Sequence, residues 1–573
     1  MFRNSSTQSQ TSLFTSTSVL LSSKSLKVYE GNESWHNQFR RQVVDRIDEN
    51  IFRPLFSEGQ GSPNAPIRIL TGMMILKESQ GWSDCHLFEQ CEFNLLVRRA
   101  LGLFNMDDTV PVASTYYLFR KRIVEWESTH NENLFEKSFS QITKSQCVEF
   151  EVGGKNIRMD SKLISSNIAW YSRYELIHET LRKVHTVLGK SIINLSLSES
   201  DLNLFNSVSG ESGDKFAYRH NKAELENRMV ELGLLIYKII KQTEDHQSDA
   251  LRTLRRLFNE QYHNEDGVIN PLPKSEIDTS SVQSPHDTEC HYRQKEDQKV
   301  KGYSVNITET CDTDSKMNLI TNVLVDTATA ADCDYLIPAV EATSAIVTDK
   351  IETANADGAY HSVENQEYCS EKEIDFVISA IQGKPSRYDL SLVENGDLIV
   401  TDLQTNTILP ARKILSRNGD GIIKWSVSIE KNKYRYFTHK EIDTCLLRKH
   451  ISTRTQEELN VRNNVEASIF QLGYHYSNNK SRYRGLSKHK FWANLRCLWI
   501  NFVRILKFII RSGYNCVGNT KKALLLSKLY TQNTKNWLFL IYFFCFGKNY
   551  LKTIKIFSRQ YKFYKNGFKI YFL

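Results

Sequence analysis

Two runs in the middle of the chain restrict its fold more than any others. "KGYSVNITET" (301–310) alternates Tyr303, Val305 and Ile307 with polar residues, and "LITNVLVDTATA" (319–330) reads as a second strand. "CDTDSKMN" lies between them, so the pair reads as an antiparallel hairpin. A hairpin alone is marginal in water and needs further strands or a helix to pack against. Such neighbours are at hand. In "NIRMDSKLISSNIA" (156–169), Ile157 and Met159 fall on one side and Arg158 and Asp160 on the other, leaving a carboxylate at a strand edge. After the hairpin, "DCDYLIPAVEATSAI" reads as a helix, with Pro338 tolerated near its first turn. "ETANADGAYHS" follows as a short strand ending in Asp357-Gly358, and "DFVISAIQG" (375–383) as another strand. Strands and helices in this order give an α/β core.

The flanking text is of other kinds. Residues 1–35 form a Ser/Thr-rich leader, read as disordered and not as a signal peptide. Residues 36–150 are mostly helical, with Gly81 and Gly102 as punctuation. In "VPVASTYYLFRKRI", Ser114 is a plausible N-cap for a helix carrying Arg120, Lys121 and Arg122. A compact helical set ending in a basic helix suits DNA docking, though a plain helical bundle has the same pattern. Within residues 151–510 the core is interrupted three times: by a helical insertion at about 165–262, a loop at 263–298, and short strands and turns at about 386–440. A helix begins near 455 with "TQEELNVRNNVEASIFQLGYHY".

Charge is unevenly placed. The formal net charge is +8, yet residues 467–573 hold 20 Lys and Arg and no Asp or Glu. That asymmetry points to an anionic polymer or surface, or else to a solvated basic tail. The longest apolar run, "WLFLIYFFCF" (537–546), is well short of a membrane span. Eleven cysteines are scattered without a CxxC pair, which fits reduced thiols and argues against structural zinc.

Asp160, Asp357 and Glu466 sit on a strand, a strand end and a later helix. A sheet with a helix on it can gather such groups. Clustered carboxylates repel unless cations bind, and hard oxygen ligands favour Mg²⁺ or Mn²⁺. Each acid also has a plainer reading: Asp160 as a cap, Asp357-Gly358 as a turn, and Glu466 paired with Arg462 on a helix surface.

Four stretches make the pattern specific: "PIRILTGMMILKESQGWSDCHLFEQCEFNLLVRRALGL…VPVASTYYLFRKRI", "IRMDSKLISSNIA", "SPHDTECHYRQKEDQKVKGYSVNITETC" with "NADGAYHS", and "VRNNVEASIFQLGYHYSNNKSRYRGLSKHKFWANLRCLWINFVRI". Over roughly residues 60–510 the chain resembles the DDE transposases of bacterial insertion sequences. The resemblance implies an α/β fold whose catalytic core is an RNase H-like mixed sheet with helical and β insertions, behind an N-terminal all-α DNA-binding domain. It implies Asp160, Asp357 and Glu466 as catalytic ligands of two Mg²⁺ or Mn²⁺ ions. It also implies binding of double-stranded DNA (terminal inverted repeats and target), strand cleavage and transfer by a homodimer, and a cytoplasmic, nucleoid-associated setting. The third motif of the family often carries a Tyr, then an Arg, the Glu, and a Lys. Arg462, which the resemblance implies orients Glu466 or holds a DNA phosphate, and Glu466 fit, but Leu459 stands at the Tyr position and Gly473 at the Lys position. Lys480, Arg482 and Arg484 are the candidates to take over the DNA contact, with Lys488 and Lys490 beside them. In the same segment, Tyr483 or Trp492 could stack on an exposed base, while Phe491, Trp492 and Leu495 could equally pack inward. A decayed transposase that only binds DNA and a nuclease without strand transfer are the alternatives. Residues 511–573 read as a basic aromatic tail beyond the resemblance, either non-native extension or an added DNA clamp.

Overall fold

A computed structural model describes residues 1–513 apart from 5–14, 60, 192–194, 266, 296, 316, 382, 384–385, 394–395, 416–422, 431–432 and 476–478. The tail expected at 511–573 therefore lies almost wholly outside the described residues. Among those residues no helix is long and apolar enough to cross a membrane.

The central sheet is built from β1 (Asn156–Ser165), β4 (His291–Lys295), β5 (Gln298–Thr310), β6 (Ile320–Thr327), β7 (Thr353–Ala356) and β8 (Asp375–Ile378). Its order is β4-β5-β1-β7-β8, with β6 also on β5. The hairpin strands β5 and β6 pair antiparallel, as their alternation predicts, and β5 pairs antiparallel with β1. On the other side β1, β7 and β8 run parallel. This mixed sheet is the RNase H-like arrangement expected from the sequence.

The two faces of β1 part as its alternation requires. Ile157 and Met159 are buried with the Leu336–Ser344 helix and with Ala354 and Ala356. On the opposite face, Ile164 joins the largest core, which includes the helices Ile67–Gln80 and Leu134–Phe150 and the 27-residue helix Leu486–Ser512. That last helix is amphipathic and lies between the sheet and the N-terminal helices. Phe502 meets Phe39 at 5.2 Å between ring centroids, and Phe491 meets Phe135 at 4.6 Å. Asn501 clips the helix to the sheet edge, accepting from Ile320 N and donating to Ile320 O, both at 2.8 Å.

The stretch following β1 contains five helices between Arg173 and Gln261 with an apolar core of their own. The 263–298 stretch is less loop-like than expected. It begins with a small hairpin, β2 (Tyr262–Glu265) and β3 (Val268–Pro271), and ends with β4. Residues 388–438 form a five-stranded antiparallel sheet, β9 (Tyr388–Leu392), β10 (Leu398–Asp402), β11 (Thr407–Leu415), β12 (Ile423–Glu430) and β13 (Lys433–Thr438), covered by the His439–Thr453 helix.

Two expectations near the N-terminus need correction. The leader is not disordered throughout: Ser23–Tyr29 is helical, buried Tyr29 bonds the Thr17 hydroxyl, and Thr17 N donates to Phe104 O at 3.0 Å. Those two buried groups anchor a segment whose composition reads as polar. The basic helix starts at Ala113 with Val112 as N-cap, so Ser114 lies inside its first turn.

Candidate active site

The β1–β7 register places Arg158 opposite Asn355. Two residues further along each parallel strand come Asp160 and Asp357, at the point where β7 ends. Asp357 caps the turn Gly358–Tyr360 by accepting from Ala359 N at 2.9 Å. Gly358 is required there by space, because a Cβ would stand 2.2 Å from the Ala380 carbonyl oxygen. The plainer cap-and-turn reading of Asp357 is thus true, and it also aims the carboxylate.

Arg462 joins the two acids. Its Nη2 donates to Asp160 Oδ2 at 2.7 Å and lies 3.9 Å from Asp357 Oδ2. Asp160 is 8 % exposed and also accepts from Ser161 N at 2.9 Å. Burial pushes its carboxyl up to about 6; Arg462 opposes this and the Asp357 charge adds to it. Arg462 Nε is buried with no hydrogen-bond partner among the described residues. The helix-surface ion pair between Arg462 and Glu466 does not form among those residues. Arg462 sits in the 3₁₀ turn Val461–Asn464 and its guanidinium goes inward to the desolvated acid. Glu466 begins the Val465–Leu472 helix and stays exposed to water.

Beneath this pair lies a buried charge cluster that sequence reasoning missed. Glu309 on β5 is fully buried, opposite Arg158 on β1. It accepts from Arg158 Nε at 2.7 Å, from the Ser468 hydroxyl at 2.6 Å and from Arg504 Nη2 at 2.7 Å. Burial alone would push its carboxyl up, but Arg504, Arg158 and Ser468 outweigh that and hold it below the usual range. Arg158 Nη1 also donates to Val461 O at 3.1 Å, next to Arg462. Glu309 therefore ties the central sheet to the Val465–Leu472 and Leu486–Ser512 helices and to the turn that carries Arg462. The only sequence signal was an acid at a position where the alternation of Tyr303, Val305 and Ile307 calls for an apolar side chain.

The basic residues expected at DNA divide into two groups. Arg482, Arg484 and Lys488 line one concavity of about 550 Å³ together with Arg120, Lys77 and Trp82, hundreds of residues earlier in the chain. Arg482 Nη1 and Nη2 donate to Trp82 O and Gly81 O, at 2.9 and 2.7 Å, which sews this loop to the N-terminal helices. Arg484 Nε donates to Asn167 O at 2.6 Å. The others are elsewhere: Lys480 donates to Ile168 O at 2.8 Å, Lys490 pairs with Glu127 at 3.6 Å, Arg122 stacks on Phe56, and exposed Lys121 pairs with Glu125. Tyr483 and Trp492 cannot stack on a base, being 7 % and 0 % exposed; Tyr483 bonds Glu78 and Trp492 sits in the core.

Comparison with known families follows this geometry. A model described as "Transposase domain (DUF772)" matches residues 28–122, and one described as "Transposase DDE domain" matches residues 272–502. Together they cover more than half of the chain. The chain belongs to the DDE transposases. Asp357 and Glu466 of the transposase fall within the DDE match, whereas Asp160 falls in the unmatched stretch between the two. No curated protein and no solved structure matches the chain.

The acid pair of the transposase fits a hard divalent cation by its donor chemistry: two carboxylates from adjacent strands, one of them desolvated, share a single guanidinium as counter-charge. Among the described residues no group of three or more His, Cys, Asp or Glu side chains stands close enough to hold a metal ion.

Proposed function

We propose that this transposase cuts and joins DNA at the ends of an insertion sequence, with Asp160, Asp357 and Glu466 as its acidic residues and Mg²⁺ or Mn²⁺ as the ion. The reading is carried by the meeting of Asp160 and Asp357 under one guanidinium, in a chain matched by two transposase models. These two acids would hold the ions, with Glu466 as the third ligand. When bound, divalent ions neutralise charge at the phosphodiester and assist displacement at phosphorus.

The chain's own groups do the positioning. The Asp160 carboxylate stands just past the last β1–β7 pair, ready to accept a hydrogen bond or a proton. Arg462, with an unpartnered Nε–H, donates to a phosphate oxygen once DNA enters. The concavity of Arg120, Arg482, Arg484 and Lys488 takes backbone phosphates and sets the register of the duplex. Water then attacks phosphorus and the 3′-oxygen leaves, taking up a proton; the freed 3′-hydroxyl attacks a target phosphodiester, loses its proton and displaces the target strand's own 3′-oxygen. Two ends must be held together for that second step, so the working unit is a dimer.

A second reading, a protein that binds DNA without cutting it, is favoured by one observation: no acid trio is gathered among the described residues. Purified protein with labelled duplex from the element's ends and Mg²⁺ separates these readings. Nicking and joined products, both lost in Asp160→Asn and Asp357→Asn, are expected. Binding without nicking favours the second reading, and nicking without joining indicates a nuclease.

A further inference from the structure

Gly473, where the family resemblance called for a lysine, has an ammonium beside it supplied from elsewhere. A Cβ built on Gly473 would stand 3.1 Å from Lys162 Nζ. Lys162 is on β1, two residues beyond Asp160, and so on the same face of the strand. It is half-buried and has no hydrogen bond or ion pair among the described residues. A cation withdrawn from water without an acid partner is costly unless an anion completes its surroundings. The three residues expected to replace the helix lysine are anchored on other segments: Lys480, Arg482 and Arg484 donate to the main-chain carbonyls of Ile168, of Gly81 and Trp82, and of Asn167.

Lys162 is not needed as a cap for the Val465–Leu472 helix either. Its last carbonyls, Gln471 O and Leu472 O, accept from Arg496. Arg462 Nε, at the same acid pair, is a second donor without an acceptor. Two unmatched donors, one at the acid pair and one on β1 two residues beyond Asp160, suit a phosphodiester, which offers oxygen acceptors and a negative charge.

We propose that Lys162 binds a DNA phosphate beside Asp160, its ammonium delivered from the strand in place of a helix lysine at position 473. This rests on the reading of the protein as a DNA-cutting transposase. Gly473 has φ −81°, so any residue can stand there, and removing the Lys162 side chain clears the space a new one would need.

The test uses full-length protein in EDTA and a short random-sequence duplex, with affinity read by fluorescence anisotropy over a range of KCl. Lys162→Met keeps the side chain's packing and removes its charge. It is expected to weaken binding several-fold at low salt and to shrink the slope of log affinity against log salt by about 0.9. Lys162→Arg should keep the wild-type slope. The swap Lys162→Ala with Gly473→Lys should restore it, which a merely structural lysine would not do. A Lys162→Met slope equal to wild type overturns the proposal, as does a swap that melts normally and leaves the slope reduced. Should the swap variant melt early, the Lys162→Met slope alone decides. Wild-type protein that binds no duplex at all refutes the DNA reading itself, and the proposal with it.

Discussion

Replacing Asp160 with Asn should make the metal-free protein more stable, and the gain should grow with pH. The carboxyl of Asp160 is pushed from 3.8 to about 6, chiefly by burial, with Arg462 opposing and Asp357 adding. Its folded pKa therefore lies above its unfolded value. The stability of the protonated form is complete below about pH 4 and is lost as pH rises through about 6. Asparagine resembles the protonated carboxyl in shape and charge. Each pKa unit is worth about 1.36 kcal/mol, so the gain approaches about 3 kcal/mol above pH 7, with about half of it present at pH 5. Thermal unfolding of both proteins in EDTA, from pH 5 to pH 8, reads this as a rise in midpoint of a few degrees. Adding Mg²⁺ at pH 8 should then raise the wild-type midpoint and leave that of Asp160→Asn nearly unchanged. A variant less stable than wild type at pH 8, or a gain equal at pH 5 and pH 8, would refute the reasoning.

Two further outcomes follow from the same geometry. Glu309→Ala leaves Arg158 and Arg504 buried without their acid, so it should cost about 3–5 kcal/mol in urea denaturation, and Glu309→Gln should cost less. Gly358→Ala forces a Cβ against the Ala380 carbonyl, a backbone group that cannot yield cheaply. It should lower stability by about 1–3 kcal/mol and reduce Mg²⁺-dependent nicking, because Asp357 is displaced with the turn.

Much of the sheet was legible in the sequence because its strands alternate cleanly. Ile157, Met159, Tyr303, Val305 and Ile307 are all buried as that alternation requires. The pairing of Asp160 with Asp357 was legible only through the family motifs, since no periodicity connects residues nearly two hundred positions apart. The plainer surface pair of Arg462 with Glu466, which helical spacing favours, is not formed, because desolvated Asp160 takes the guanidinium. Glu309 and Lys162 were unreadable for a related reason. Each takes its meaning from a partner or a gap on another element, Arg158 and Arg504 for one and Gly473 for the other. Trp492 and Tyr483 lie in a basic segment whose composition resembles a nucleic-acid surface, but packing of the long C-terminal helix takes both inward.

The clamp on Glu309 has a consequence for the order in which the chain becomes a working molecule. A ribosome releases β1 and β5 long before it releases Arg504, and until then a carboxylate destined for full burial lacks one of its two guanidiniums. The helices after β1 have an apolar core of their own and can collapse early. The parallel strand β7, the Arg462 turn and the Leu486–Ser512 helix must arrive late, through contacts of long sequence separation. A nascent or truncated polypeptide ending before residue 504 therefore carries both aspartates without the frame that holds them. For a protein that would break DNA, assembly of the site is thereby tied to synthesis of the Leu486–Ser512 helix.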